Sequence, residues 1–179
     1  PADFSPQTPV VLLVSGSGLQ NRDEEIYSHK PFLVIADHLA RNGIASLRYD
    51  DRSFGKSTGN AVGATTETFK KDALAGLEFL RSLGKFSKIG LAGHSEGGTI
   101  AFLLAGEGKT DFIISLAGTA TDGATVLVEQ NRKILKGNGI PESAVNDYCE
   151  VLAKLYADPD MTAEELGKLA AGLAPDMKQ

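Results

Sequence analysis

Residues Lys88–Thr99, KIGLAGHSEGGT, constrain the fold more than any other stretch of the chain. The apolar run Ile89-Gly90-Leu91-Ala92 leads into Gly93-His94-Ser95-Glu96-Gly97, a match to G-x-S-x-G. The helix-compatible run Thr99–Ala105 follows. This order predicts a buried strand, a sharp turn and the first turn of a helix. On such a turn, a nucleophile elbow, the serine is strained and its hydroxyl is presented above the sheet. The flanking glycines let strand and helix pass closely, because a Cβ there would clash. The helix start also leaves backbone N–H groups unpaired, and one of them can face developing negative charge. Ordinary Gly-rich turns produce the same pentapeptide. The strand before it and the helical run after it select the elbow reading.

The preceding chain alternates between two periodicities. Val10–Val14 is a continuous aliphatic run, the pattern of a strand covered on both faces, and it ends in Ser15-Gly16-Ser17-Gly18. A polar loop, Leu19–Lys30, leads to Pro31 at a first helical position. Phe32, Ile35, Ala36, Leu39 and Ala40 form one apolar stripe, so Pro31–Arg41 is expected to be an amphipathic helix stopped by Asn42-Gly43. Ile44–Tyr49 reads as the next strand. After a Gly/Ser-rich loop, Ser53–Thr65, a helix capped by Thr65 or Thr66 runs to about Leu83, with Phe69, Ala73, Leu77 and Leu80 at helical spacing. Asp111–Gly118 reads as a fourth strand. The alternation predicts an α/β fold, a mostly parallel sheet flanked by helices with right-handed crossovers.

No convincing strand follows Gly118. Ala124–Lys136 and Pro141–Ala157 read as helices, Asp158-Pro159-Asp160 as a break, and Thr162 with Glu165 as a capping box opening another helix. The expected organisation is an α/β portion over 1–118 and an all-helical segment over 119–179. A chain of 179 residues can bury about 70% of its unfolded surface, enough for a real core. The net charge of −5, with no Lys/Arg cluster, argues against nucleic acid as a partner. No apolar run approaches the roughly 20 residues of a membrane span. Cys149 is the sole cysteine, so no internal disulfide forms and the compartment is not revealed. The chain opens at Pro1 with neither an initiator Met nor a signal-peptide pattern, as expected of a processed or truncated chain. Localisation and oligomeric state have no signature.

Five stretches together carry a family resemblance: VVLLVSGSGLQNRDEE at Val10–Glu25, SHKPF at Ser28–Phe32, SLRYDDRSFGKSTG at Ser46–Gly59, ATTET at Ala64–Thr68 and GHSEGG at Gly93–Gly98. In these residues and their order the chain resembles part of an α/β-hydrolase of the bacterial esterase and serine-aminopeptidase-like branch. The resemblance implies that Ser95 is the nucleophile. It implies an oxyanion hole formed by the N–H of Glu96 and an N–H of the loop after the first strand, that of Ser17 in preference to Gly18. It also implies that the helical segment is a cap over the acyl or leaving-group pocket. The family's chain order is Ser, then Asp or Glu, then His. Here the only histidines are His29, His38 and His94, and none follows Ser95. The remaining triad members are therefore expected downstream of Gln179, and the chain by itself is expected to be inactive. Where the family commonly carries Gly after the Arg of this loop, the chain has Ser53.

Other groupings are weaker. His94 is the elbow's own variable residue, directed away from the serine's partner position. His38 falls beside the apolar stripe of its helix, and His29 precedes that helix near the rim. Asp50, Asp51 and Arg52 are expected to brace the oxyanion loop as one charge network, since a paired Arg–carboxylate fixes loop geometry. Asp23-Glu24-Glu25 lacks a neighbouring His suited to a metal site and reads as a solvated loop. Glu96 could meet a substrate amine or simply suit the helix dipole. Gly55-Lys56-Ser57 is not a phosphate-binding loop, because Asp50 stands where the Walker pattern needs Gly. No metal or organic cofactor is implied. The functional expectation is hydrolysis of a small-molecule carboxylic ester, with peptide hydrolysis or a non-catalytic binding module on the same scaffold as alternatives.

Overall fold

A computed structural model describes residues 5–158 and 160–173. Part of the lead-in expected at Pro1–Pro9, and Pro159 of the expected break, lie outside the described residues. The elements, in chain order, are β1 (Val10–Val14), α1 (Pro31–Arg41), β2 (Ala45–Leu47), α2 (Thr66–Ser82), β3 (Ile89–His94), α3 (Glu96–Gly106), β4 (Phe112–Leu116), α4 (Gly123–Gly137), α5 (Glu142–Ala157) and α6 (Ala163–Ala170). They divide into two compact units, Pro1–Ala120 and Thr121–Gln179.

In the first unit the four strands are all parallel, in the order β2-β1-β3-β4. β1 lies between two neighbours, pairing Val10–Leu12 with Ala45–Leu47 and Val10–Val14 with Ile89–Gly93. That placement explains its unbroken apolar sequence, since both faces are covered. Val10, Leu12 and Val14 pack with Ile89 and Leu91 against Ala73, Leu77 and Leu80 of α2 and Ile100 and Leu104 of α3. Val11, Leu13 and Ala92 face the other way, against Phe32 and Ala36 of α1. Each fully buried aliphatic side chain contributes about 1.5–3 kcal/mol through removal from water. The chain passes outward from β1 to β2, then crosses back to β3 on the opposite side of β1. The strand order thus reverses between β1 and β3, and in open α/β sheets such a reversal leaves a crevice at the strands' carboxyl ends.

Helix boundaries follow local chemistry. Pro31 opens α1, and Gly43 at φ 76° lets the chain leave it. A reciprocal Thr65–Thr68 capping box opens α2. Two strands are shorter than their apolar runs. β2 covers Ala45–Leu47 rather than Ile44–Tyr49, because among the described residues it has β1 alone as a neighbour and Arg48 turns to pair with Asp23. β4 covers Phe112–Leu116: the Asp111 carboxylate accepts the Ile89 N–H at 2.7 Å, and Ala117 at φ 55° bends the chain away.

Among the described residues of the second unit, all regular structure is helical. α4 and α5 pack together, burying Val145 and Cys149, with the Cys149 thiol directed at the Val128 carbonyl at 3.8 Å. Arg132 of α4 donates to Asn146 of α5 at 2.6 Å. Thr162 and Glu165 cap α6 reciprocally. Among the described residues, no helix is long and apolar enough to cross a membrane.

Leu12 is fully buried at the sheet centre, with its methyl groups against Gly76 of α2. Leu12→Ala is expected to destabilise the protein by about 2–5 kcal/mol through lost burial and a residual cavity. Val34→Ala, on the exposed side of α1, should stay within about 0.5 kcal/mol. Urea unfolding of the two variants checks the contrast.

Candidate active site

Ser95 links β3 to α3 with φ 51° and ψ −114°, a conformation that costs a non-glycine residue about 1–3 kcal/mol. Its own backbone secures it. The Ser95 N–H donates to the Leu116 carbonyl at 2.9 Å, and the Ser95 carbonyl accepts from Gly98 at 2.9 Å and Thr99 at 3.2 Å. The turn tolerates no side chain at two of its glycines. A Cβ on Gly93 would lie 1.9 Å from the Gly97 carbonyl oxygen, and one on Gly97 would lie 2.2 Å from that of Val14. Ser95 is half-buried, and among the described residues its hydroxyl has no hydrogen-bond partner. Glu96 is the first residue of α3, so its N–H has no acceptor one turn back. Its carboxylate accepts from the Thr66 hydroxyl at 2.6 Å.

The loop after β1 lies against this turn. A Cβ on Gly16 would be 3.1 Å from Ser95 Cβ. The Gly16 N–H donates to Glu24 Oε1 at 2.7 Å, and the same oxygen accepts from His94 Nδ1 at 2.8 Å. Asp51 accepts from the Ser15 hydroxyl at 3.2 Å and from the Gln20 N–H at 2.8 Å. Asp50 takes the Arg22 N–H at 2.9 Å, its guanidinium at 3.0 and 2.8 Å, and the Lys56 N–H at 3.1 Å. Ser17 is exposed, and its N–H has no acceptor among the described residues. Gly16, Tyr49, Asp51, Phe69 and Glu96 line a narrow cleft beside the loop.

The expected three-residue brace needs correction at Arg52. Its guanidinium pairs with Asp72 of α2 at 2.7 and 2.6 Å and donates to the Asn60 carbonyl at 3.3 Å, away from both neighbouring aspartates. Beside it, Ser53 holds φ 62°, a conformation that favours glycine, with its hydroxyl donating to the Gly59 carbonyl at 2.8 Å. The solvated reading of Asp23-Glu24-Glu25 holds only for exposed Glu25. Asp23 pairs with Arg48, and Glu24 is buried at φ 50°. Glu24 is the residue that sequence reasoning missed, and its partner His94 lies 70 residues away. Of the other histidines, His29 forms backbone hydrogen bonds with Ile26 across a tight turn, and His38 lies exposed on α1 beside Asn42.

The two adjacent aspartates are tuned in opposite directions. The Arg22 guanidinium and backbone N–H hold Asp50 well below the ordinary carboxylate range. Burial pushes Asp51 up against the hydrogen bonds from Gln20 and Ser15, and the carboxylates of Asp72 and Glu96 add to the rise. Burial, followed by the same kind of repulsion from Asp51 and Asp72, raises Tyr49.

Comparison with known proteins places this geometry in a family. Residues 28–173 match the family described as Serine aminopeptidase, S33. The chain belongs to this family. It is 34% identical over 151 residues to esterase EstD of Thermotoga maritima, an alignment covering 82% of this chain and 35% of that one. The chain thus spans about a third of the length of the curated relative it matches. Est1E of Butyrivibrio proteoclasticus, solved with ferulic acid bound, superposes with a TM-score of 0.54 at 25% identity, covering 72% of this chain and 48% of that one. The Pyrococcus furiosus esterase Pf2001 superposes at 0.56 and 21% identity, over 94% and 55% of the two chains, and shows the shared fold. The serine aminopeptidase family lies within the α/β-hydrolases, and the matched residues take in β2, β3 and β4, the β3–α3 turn and the helices α4–α6.

Opposite tuning of Asp50 and Asp51 predicts opposite acid responses. A lowered native pKa contributes stability that is present above the unfolded value, near ~3.9, and is lost as pH falls through the native value. A raised one contributes stability present below the unfolded value and lost as pH rises through the native value. Asp50→Asn is therefore expected to flatten the acid limb of a stability profile below about pH 4, and Asp51→Asn to remove a decline above it. At neutral pH, Asp50→Ala should cost about 1–2 kcal/mol, limited by the half-exposed Arg22 partner. Urea midpoints measured across pH check both signs.

Proposed function

We propose that the protein is a serine hydrolase acting on carboxylic esters, with Ser95 as nucleophile. The strained placement of Ser95 carries the reading: a half-buried hydroxyl without a hydrogen-bond partner among the described residues, at the start of a helix, over the crevice between β1 and β3. The Ser95 hydroxyl oxygen attacks the ester carbonyl carbon and gives up its proton to a general base. The carbonyl oxygen takes the negative charge and is held by the N–H groups of Glu96 and Ser17. Collapse expels the alcohol and leaves an acyl-serine, which water then hydrolyses. Each oxyanion donor of this kind supplies about 3–4 kcal/mol in the transition state.

His29, His38 and His94 all precede Ser95 in the chain, and among the described residues none hydrogen-bonds the Ser95 hydroxyl. The base and its acid partner are proposed to come from sequence beyond these 179 residues, as the histidine and carboxylate of a serine triad. The helical unit Thr121–Gln179 is proposed as a cap that shapes the acyl or leaving-group pocket. Ester chemistry is preferred over peptide chemistry because EstD, the curated relative at 34% identity, is an esterase. The Glu96 carboxylate, the group an amine-recognising site would use, is instead tied to α2 by the Thr66 hydroxyl at 2.6 Å.

The test uses the full-length protein that contains this chain. A fluorophosphonate should form an adduct that peptide mass spectrometry maps to Ser95, and Ser95→Ala should lower p-nitrophenyl acetate turnover by at least about 10³-fold. A folded full-length protein that forms no adduct would favour the non-catalytic binding module.

A further inference from the structure

The last registered pair between β1 and β3 is Val14↔Gly93. Beyond it the ladder pairing ends, although the two segments stay packed, Gly97 against Val14 and Gly16 against Ser95, and the N–H groups proposed to hold the oxyanion lie one on each, Ser17 on the loop and Glu96 on the elbow. Donors of this kind act only when both sit about 2.7–3.1 Å from the position the oxyanion will occupy. Sheet pairing no longer fixes their separation. Among the described residues, the hydrogen bonds that connect the loop to the elbow run through a single atom, Glu24 Oε1. It accepts the Gly16 N–H at 2.7 Å and the His94 Nδ1–H at 2.8 Å. A carboxylate oxygen offers lone pairs and no proton, so the imidazole Nδ1–H is the donor in the second bond. Gly16 immediately precedes Ser17, and His94 lies two residues before Glu96.

Glu24 holds this place at a cost. Its side chain is 8% exposed, and its backbone is left-handed at φ 50°, a conformation retained in a non-glycine residue only when the surroundings enforce it. The enforcement is visible. The Glu24 N–H donates to the Asn21 carbonyl at 2.9 Å, and Asn21 Oδ1 accepts from the N–H groups of Asp23 at 3.0 Å and Glu25 at 3.2 Å. The Phe32 N–H of α1 donates to the Asp23 carbonyl at 3.1 Å, tying this turn to a helix whose Phe32 is buried under the sheet. The carboxylate is thus mounted on a turn anchored to the core.

We propose that Glu24 is a positioning residue for the oxyanion site, setting the separation of the Ser17 and Glu96 N–H groups through Gly16 and His94. The proposal rests on the hydrolase reading of Ser95. It gives the elbow's variable residue a role: His94 is the arm by which the elbow holds the loop. Glu24 touches no substrate. Its effect appears where the oxyanion is held and not where the ground-state ester binds.

The test again uses full-length protein. Glu24→Ala should lower kcat for p-nitrophenyl acetate by about 10²-fold with KM within about threefold, the size expected when donors are misplaced by about 1 Å. Affinity for an alkyl boronic acid, which mimics the tetrahedral species, should fall in parallel. Glu24→Gln keeps an acceptor oxygen for both donors and should restore kcat to within about fivefold. Hydrogen exchange at the Gly16 amide should accelerate in Glu24→Ala but not in Glu24→Gln, a readout independent of turnover. A folded Glu24→Ala with wild-type kcat overturns the proposal, as does unchanged exchange at Gly16, or a Glu24→Gln variant as impaired as Glu24→Ala. If Glu24→Ala does not fold, His94→Ala takes its place, and wild-type kcat in that variant overturns the proposal. Turnover that survives Ser95→Ala would instead defeat the hydrolase reading, leaving the Gly16 exchange to decide whether Glu24 holds the loop.

Discussion

Backbone crowding at the end of β1 sets the terms for the rest of the first unit. The Val14 carbonyl and the start of α3 approach so closely that Gly97 has no room for a methyl group, and Gly93 is pressed against the Gly97 peptide in the same way. A strand and a helix that meet this tightly leave a single residue to make the turn, and Ser95 absorbs it with a backbone that β-strands and helices both avoid. The strain persists because both Ser95 backbone groups are hydrogen-bonded, to β4 on one side and to α3 on the other. Core packing supplies the counterweight. Ile100, Ala101 and Leu104 fix α3 against one face of the sheet, so the turn cannot relax by moving the helix.

Buried carboxylates organise the loops around that turn. Asp50, Asp51 and Glu24 are each nearly inaccessible, and each receives backbone N–H donors from segments with no regular structure. Loop peptides otherwise need water or secondary structure to satisfy them. Here, ionisable side chains carried by neighbouring loops do that work. Opposite tuning of adjacent aspartates follows from who comes to meet them. A guanidinium reaches Asp50, whereas Asp51 meets only neutral donors and faces two further carboxylates.

The parts legible in the sequence were those in which physics is local. G-x-S-x-G is readable because steric exclusion at Gly93 and Gly97 acts within five residues. α1 is readable from Pro31, its apolar stripe and Asn42-Gly43, and the start of α6 from Thr162 and Glu165. Long-range pairings were not legible. Arg52 ignores the adjacent aspartates for Asp72, 20 residues on, and Arg48 leaves its strand for Asp23. Glu24 looked like one more charge in a polar run, because its partners lie 8 and 70 residues away and nothing nearby marks it as buried. An apolar run likewise overstates a strand that has a neighbour on one side alone, as β2 shows.

The arrangement of the strands has one further consequence. Among the described residues, β2 and β4 each have one hydrogen-bonded neighbour, while β1 and β3 have two. The outer flanks of the ladder keep donors and acceptors open to additional strands. Ser95 and Gly16 extend from the inner pair, so the sheet can be widened at either rim without altering the register on which they depend.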